Sequence, residues 1–187
     1  MSSNLSFTDA IKNRRTIYQL QKKSPISDAR LQEVLSQIDE HEKFWDVVTG
    51  ILKAIVPPES WEGTAGRMAG FRNAFGTILF YEDPKTVKEL QEKVAAYADK
   101  VPGWSTETNA MHQYHAWVAL ENEGFGANLQ HYNPLPNQKA AEIWNIPLEW
   151  QLQAQLVFGA PAEGARDSLQ KREQHIPLEK RLIVHGA

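Results

Sequence analysis

The chain has 187 residues and a mass of 21.2 kDa, with 42% hydrophobic residues, 23% charged residues, 11 glycines and 10 prolines. This usage is ordinary for a globular domain and excludes collagen-like, disordered and disulfide-scaffold proteins. A net charge of −3 gives no overall attraction to nucleic acid or to an anionic membrane. The lack of cysteine excludes disulfides, thiolate metal sites and a cysteine nucleophile. Because the N-terminus is polar and no apolar run has membrane-spanning length, the sequence predicts a cytoplasmic protein outside the membrane.

The N-terminal part of the chain predicts two helices. A capping box that begins at Ser6 opens a short helix ending near Arg14. Ser27 caps a second helix, whose apolar residues follow the i, i+3, i+4, i+7 spacing. That spacing continues to Ile55, and a pattern of about 30 residues without an internal cap is long for a globular helix. We therefore expect a junction within residues 37–41.

The remaining segments mix helical and strand patterns without strict alternation. In chain order the sequence predicts a helix or loop weakened by glycine over 59–73, a strand over 77–81, a helix over 87–97, a helix over 105–124, an extended segment over 127–133, a helix over 138–144, a strand over 151–158 and a last strand over 181–184. This order predicts an α+β fold with a small mixed sheet covered by helices, flanked by two terminal arms that carry arginine.

A basic cluster at the end of the first predicted helix is the first candidate site. It consists of Lys12, Arg14, Arg15 and Thr16. Adjacent guanidinium groups and a hydroxyl suit a phosphate or the anionic edge of a ring, because arginine donates parallel hydrogen bonds and stays charged. The same residues are typical of a helix C-terminus, where cations interact with the last carbonyls and the dipole. Spacing alone favours the helix end.

The second candidate is the glycine-containing segment over residues 124–133. Two glycines two residues apart invite a dinucleotide-loop interpretation, but Leu129 stands where the third glycine is required, and the segment follows a predicted helix. A Rossmann site is therefore rejected. Two interpretations remain: a backbone close to a flat ligand, with amides and the Gln130 side chain at its edge, or a helix C-cap that leads into a strand.

No metal site is predicted. His112 and His115 are three residues apart on a predicted helix, but no HExxH pattern accompanies them. The sequence also lacks a serine nucleophile elbow, a P-loop and a deaminase signature.

Large apolar side chains crowd the same helix and its flanks. Core packing is the favoured interpretation for each one, whereas together they are also suited to an apolar pocket or a dimer face. They are Trp104, Met111, Tyr114, Trp117 and Phe125.

Five segments together resemble one family of proteins. They are residues 7–20, 24–28, 44–48, 123–134 and 153–159, and the run Gly-Ala-Asn-Leu-Gln-His-Tyr-Asn within the fourth is the most specific. The chain resembles the nitroreductase family of flavoproteins, in particular the subfamily named after a yeast fatty-acid-repression mutant. The resemblance implies the α+β nitroreductase fold, an intertwined homodimer and two FMN molecules at the subunit interface, where NAD(P)H and the acceptor use one pocket in turn.

The resemblance also implies the residues that bind FMN. They are Arg14, Arg15 and Thr16 at the phosphate and the polar edge of the ring, Leu129, Gln130 and His131 beside the ring, and Arg181 as a second cation at the phosphate. No residue is assigned as a general acid or base, because the flavin performs the hydride chemistry. The implied function is reduction of nitroaromatics, quinones or related flat acceptors.

The sequence departs from the family at the junction near Gln37 and Ile38. There the family has a loop, with an asparagine and a glutamine that reach the flavin, followed by a strand of the central sheet. Such a loop and strand amount to about 15 to 25 residues. We therefore expect a single domain over 1–187 that lacks this segment. The alternative function is a flavin-binding regulatory or stress-response protein with little turnover, which this departure favours.

Overall fold

The computed structural model describes residues 14–25, 27, 40–170 and 175–185. The two helices predicted before residue 40 fall almost entirely outside these ranges. The described part of the chain forms four strands, five α-helices and two short 3₁₀ helices. In chain order they are β1 (Leu20–Gln21), α1 (His41–Ile55), α2 (Pro58–Arg72), β2 (Gly76–Glu82), α3 (Pro84–Lys93), a 3₁₀ helix (Ala95–Tyr97), α4 (Val101–Asn122), β3 (Gly126–Gln130), α5 (Asn137–Trp144), β4 (Gln151–Pro161) and a 3₁₀ helix (Leu178–Lys180).

Strand β4 is the centre of the sheet. One of its edges pairs with β2, in a register that runs from Gly76 opposite Phe158 to Glu82 opposite Gln151. Its other edge pairs with β3, and the last residues of β4 pair with β1. These three ladders are antiparallel, and among the described residues one parallel bridge, between Thr16 and Ala127, makes the sheet mixed. The predicted α+β class is confirmed, and β4 is buried over residues 154–160 because helices cover both faces.

Helices α1 and α2 pack on one face of the sheet. The apolar stripe of α1 includes Phe44, Trp45 and Val48, which are buried against Phe71 of α2. The Trp45 indole Nε1 donates a 2.9 Å hydrogen bond to Thr77 Oγ1 on β2, and His41 Nδ1 lies 2.8 Å from the same oxygen. Burial lowers the pKa of His41. Helix α1 is therefore tied to the sheet by polar contacts as well as by apolar packing.

Helix α2 forms in spite of its three glycines. Residues 59–73 were ambiguous in sequence, yet Pro58–Arg72 is one continuous helix that buries Thr64, Met68 and Phe71 along one face. Pro58 occupies the first turn of α2. Because N–H groups in the first turn have no intrahelical partner, the missing N–H of proline costs nothing there, and its fixed φ favours the helix start. Burial of one face compensates for the low helix propensity of glycine.

Helix α4 packs on the opposite face of the sheet. Trp117 and Leu120 are buried against Phe125, Leu156 and Phe158. The helix begins at Val101, so the predicted start at residue 105 is wrong. Proline and glycine at the next two positions do not interrupt a first turn, because the first N–H groups of a helix have no intrahelical acceptor.

The predicted strand over residues 181–184 is wrong. The structure has a 3₁₀ turn followed by residues without regular secondary structure, which form no ladder with any described strand. Leu182, Ile183 and Val184 are all more than half exposed. A short apolar run has strand propensity, but a strand forms only where a neighbouring edge accepts its hydrogen bonds.

Two features are absent from the described residues. No helix among them is long and apolar enough to cross a bilayer. Nor do they contain a group of three or more histidine, aspartate or glutamate side chains arranged to hold a metal ion.

Candidate functional site

The structure brings the two predicted ligand-binding segments side by side. Thr16 forms its parallel bridge with Ala127, and Ile17 N donates a 3.1 Å hydrogen bond to Ala127 O. The side chain of Asn128, which is fully buried, donates a 3.0 Å hydrogen bond from Nδ2 to Ile17 O. The arginine segment therefore continues directly into a contact with β3, although the two are more than 100 residues apart in sequence.

The arginine side chains have defined partners. The Arg14 guanidinium lies over the Trp117 ring, 4.4 Å from its centroid, and this stacking fixes the plane of the group. Arg15 Nη2 donates a 2.8 Å hydrogen bond to the Gln170 carbonyl oxygen. Arg14, Arg15 and Thr16 are all half-buried. Two positive charges and a hydroxyl are thus held at the edge of the sheet.

The second predicted segment, Leu129 to His131, lies at the end of β3. Leu129 is half-buried against the core under α4, Gln130 Nε2 donates a 2.9 Å hydrogen bond to Asn128 Oδ1, and His131 is exposed. Backbone groups of alternate strand residues point to the same edge, so Leu129 presents its N–H and C=O on the edge where Ala127 meets Ile17. Within the described ranges no backbone group bonds to Leu129 on that edge.

A buried ion pair supports the same junction. Glu121 on α4 is 1% exposed, and Arg166 donates to it from Nη1 and to Phe125 O from Nη2, the latter at 3.0 Å. Burial raises the pKa of Glu121, and the positive charges of Arg166 and Arg14 oppose that rise. Sequence reasoning missed Glu121, Arg166 and Asn128. The one available signal was an acidic residue four positions after Trp117, on the helix face that Trp117 buries.

The other predicted residues fall into a buried group and an exposed group. Trp117 and Phe125 are core residues, as the packing interpretation predicts, whereas Trp104, Met111 and Tyr114 remain between 43% and 62% exposed. Arg181 directly follows the second 3₁₀ helix in an exposed stretch of the C-terminal segment. Its assignment to the arginine cluster therefore stays a prediction.

The chain is similar to two yeast nitroreductases, while no family model matches it. The Saccharomyces cerevisiae nitroreductase HBN1 is 36% identical over 185 residues, covering 87% of this chain and 91% of that protein. The nitroreductase FRM2 of the same yeast is 32% identical over 186 residues, covering 86% of this chain and 91% of that protein.

Solved structures share the fold. The nitroreductase CinD from Lactococcus lactis, in complex with nicotinic acid, superimposes with a TM-score of 0.81 at 35% identity, covering 96% of this chain and 100% of that chain. The architecture and the paired segments thus define an α+β protein with the nitroreductase fold. The chain belongs to the nitroreductase family, in the group of yeast HBN1 and FRM2, and this places it among the flavin-dependent oxidoreductases.

The yeast alignments are longer than the part of this chain that they cover. The alignment with HBN1 has 185 positions, whereas 87% of 187 residues is about 163. The difference of about 22 positions is compatible in size with the loop and strand expected near Gln37.

Proposed function

We propose that this chain binds FMN between the Arg14–Thr16 segment and the end of β3, and that it passes hydride from NAD(P)H to flat acceptors such as nitroaromatics and quinones. The observation that carries the proposal is the bridge between Thr16 and Ala127, which sets two guanidinium groups beside a strand edge where Leu129 has no backbone partner among the described residues. Alternate use of one pocket by donor and acceptor, a ping-pong order, is part of the proposal.

The residues present fit the chemistry of FMN. Arg14 and Arg15 offer planar donor groups that match phosphate oxygens, and Thr16 adds a hydroxyl. The N–H and C=O of Leu129 and the amide of Gln130 suit the alternating donors and acceptors along the polar edge of a flavin ring. Bound FMN supplies the hydride chemistry. The chain positions the ring, neutralises negative charge and keeps water away, so no side chain is assigned as a general acid or base.

We further propose a cytoplasmic homodimer in which the exposed apolar face of α4 is covered. Met111 and Tyr114 line an open depression of about 380 Å³ on this face, together with His115 and Val118. Exposed apolar patches of this kind mark interfaces and ligand grooves. The apolar C-terminal stretch around Ile183 supports a second contact in the same dimer. Small flat acceptors fit a pocket between such a face and the flavin.

The test of the proposed site is Arg14→Ala. Loss of one charge-assisted contact to the phosphate costs about 1.5 to 3 kcal/mol, so we expect FMN to bind roughly 10- to 100-fold more weakly. Quenching of FMN fluorescence measures the dissociation constant, and NADPH oxidation with a quinone measures turnover. Lys88→Ala, which removes an exposed cation from α3, is the matched control and leaves the affinity unchanged. Full FMN affinity in the Arg14→Ala protein, or no FMN binding by the unmodified chain, would contradict the proposal.

The second candidate function is a flavin-binding regulatory protein with little turnover. The edge of β2 favours it, because no described strand takes the place of the strand that the family has after the junction near Gln37. Ile78, Leu79, Phe80 and Tyr81 are four consecutive apolar residues, a pattern typical of a strand with neighbours on both edges and cover on both faces. Yet β2 pairs only with β4 among the described strands, and six of its seven residues are half-buried. A long apolar edge strand of this kind is normally paired or covered.

The mass of the protein isolated from its natural source separates the two candidates. If a loop and strand belong at the junction near Gln37, the measured mass exceeds 21.2 kDa by about 2 kDa, the mass of some 15 to 25 residues. That result favours the complete oxidoreductase. A mass of 21.2 kDa means that the chain is short in nature and favours the regulatory function.

A further inference from the structure

A buried carboxylate lies next to the candidate phosphate site. Glu121 is one helical turn after Trp117, the residue on which Arg14 stacks. Its Oε1 accepts from Arg166, whereas its Oε2 has no hydrogen-bond partner in the part of the chain that the structure describes. The charge of Arg14 also acts on this carboxylate. One buried anion therefore interacts with two arginines, and one of these belongs to the proposed FMN site.

Arg166 is the arginine that forms the ion pair with Glu121. Its second donor bonds the Phe125 carbonyl at 3.0 Å, at the point where α4 gives way to β3, so the side chain bridges two elements of the site. Arg14, by contrast, makes a stacking contact, and the structure shows no ion pair between Arg14 and Glu121. Arg166 thus neutralises Glu121 and leaves the Arg14 donors available.

Removal of Arg166 would leave the Glu121 carboxylate without its ion-pair partner. A buried carboxylate that loses its partner is strongly unfavourable, and the protein relaxes toward any arrangement that restores compensation. Arg14 is the second cation whose charge acts on Glu121, and stacking on the Trp117 ring, one helical turn before Glu121, holds it without an ion pair. Donors engaged with Glu121 are no longer free for a phosphate.

We infer that Arg166 is a positioning residue for FMN binding: by pairing with Glu121, it prevents this buried carboxylate from capturing Arg14. The inference rests on the proposed function, because it assumes that Arg14 binds the FMN phosphate. The inference concerns recognition of the FMN phosphate alone. Riboflavin, a flavin without a phosphate, is therefore the matched control ligand.

The test compares FMN with riboflavin in three variants by fluorescence quenching. In Arg166→Gln we expect FMN to bind about tenfold more weakly, the scale of one charge-assisted hydrogen bond, while riboflavin affinity is unchanged. Glu121→Gln alone leaves FMN binding near the unmodified value, since there is no anion left to capture Arg14. The double variant Arg166→Gln with Glu121→Gln restores FMN binding, although it lacks both charges.

A merely structural role for Arg166 makes different predictions. It would weaken FMN and riboflavin by the same factor, or leave the double variant as weak as Arg166→Gln, and either outcome overturns the inference. Unchanged FMN affinity in Arg166→Gln overturns it as well. If Arg166→Gln does not fold, Arg166→Lys serves in its place, because it keeps the charge but loses the forked geometry, with an expected threefold selective loss of FMN.

Arg72→Gln is the control for loss of an arginine, since Arg72 pairs with Asp46 and Glu42 at the surface of α1 and lies outside the site. We expect no change in the ratio of FMN to riboflavin affinity in this variant. Failure of the proposed function looks different, because the unmodified protein would then bind FMN no better than riboflavin, or bind neither flavin.

Discussion

Gly159→Ala is expected to destabilise the protein by about 3 kcal/mol, at the upper end of the cost of overpacking a core. A Cβ at this position of β4 would lie 2.7 Å from the carbonyl oxygen of Gln21 and 3.1 Å from the amide nitrogen of Phe75. Both neighbours are backbone atoms, which cannot rotate away as a side chain would. The strand β1 must therefore move off β4, or β4 must bend.

The Gly159→Ala substitution should also affect the candidate FMN site. The Arg14–Thr16 segment leads within four residues into β1, whose pairing with β4 lies directly beside Gly159. We expect weaker FMN binding in Gly159→Ala together with the loss of stability. Urea denaturation measures the free energy of unfolding.

Gly50→Ala is the matched control for that experiment. Gly50 lies on the exposed side of α1, and a Cβ there would meet nothing within 4 Å. Alanine has the higher helix propensity, so this variant should gain about 0.5 to 1 kcal/mol. Equal stability changes in the two variants would show that the close approach at Gly159 does not constrain the strand.

Trp45→Ala is expected to cost about 3 to 5 kcal/mol, a large part of the stability of an ordinary domain. The side chain is fully buried, and its ring centroid lies 4.8 Å from that of Phe71 and 5.6 Å from that of Tyr132. The substitution also removes the hydrogen bond to Thr77. It therefore leaves a cavity between α1 and β2, and the Thr77 hydroxyl keeps only its contact with His41 among the described residues. The urea midpoint should fall accordingly.

Trp104→Ala provides the comparison for the same change of residue. Trp104 is 45% exposed and contacts Tyr97 at the surface, so its removal should change the free energy of unfolding by less than about 1 kcal/mol. A loss as large as that in Trp45→Ala would mean that α4 depends on its exposed aromatic residues. Small effects in both variants would contradict the assignment of Trp45 to the core.

Local patterns predicted much of the secondary structure. Residues 77–81 are predicted as a strand from a short apolar run closed by turn residues, and residues 151–158 from alternation of apolar side chains with period two. Both lie within longer observed strands. The same reasoning failed at residues 181–184, where the run is apolar but no described strand edge is available. It also failed at the start of α4, because proline and glycine were taken as a break although a first turn accepts them.

The candidate site was predicted only in part. Arg14, Arg15 and Thr16 stood out because adjacent donors suit an anion, and Gln130 because it lies in a glycine-containing segment, whereas Leu129 was implied by the family resemblance. Asn128 was not singled out, since a buried asparagine becomes recognisable as an anchor only when its partner, the Ile17 carbonyl, is known. Composition carries no information on such pairings.

The sequence by itself determined the kind of protein: its α+β class, its family and the residue types that suit a phosphate and a flat ring. The tertiary structure decided how these parts meet. Contacts between Thr16 and Ala127, Arg14 and Trp117, and Glu121 and Arg166 join residues that are between 45 and 111 positions apart. Helical and strand periodicity acts over a few residues, whereas strand register and the pairing of buried charges follow from the packing of the whole chain.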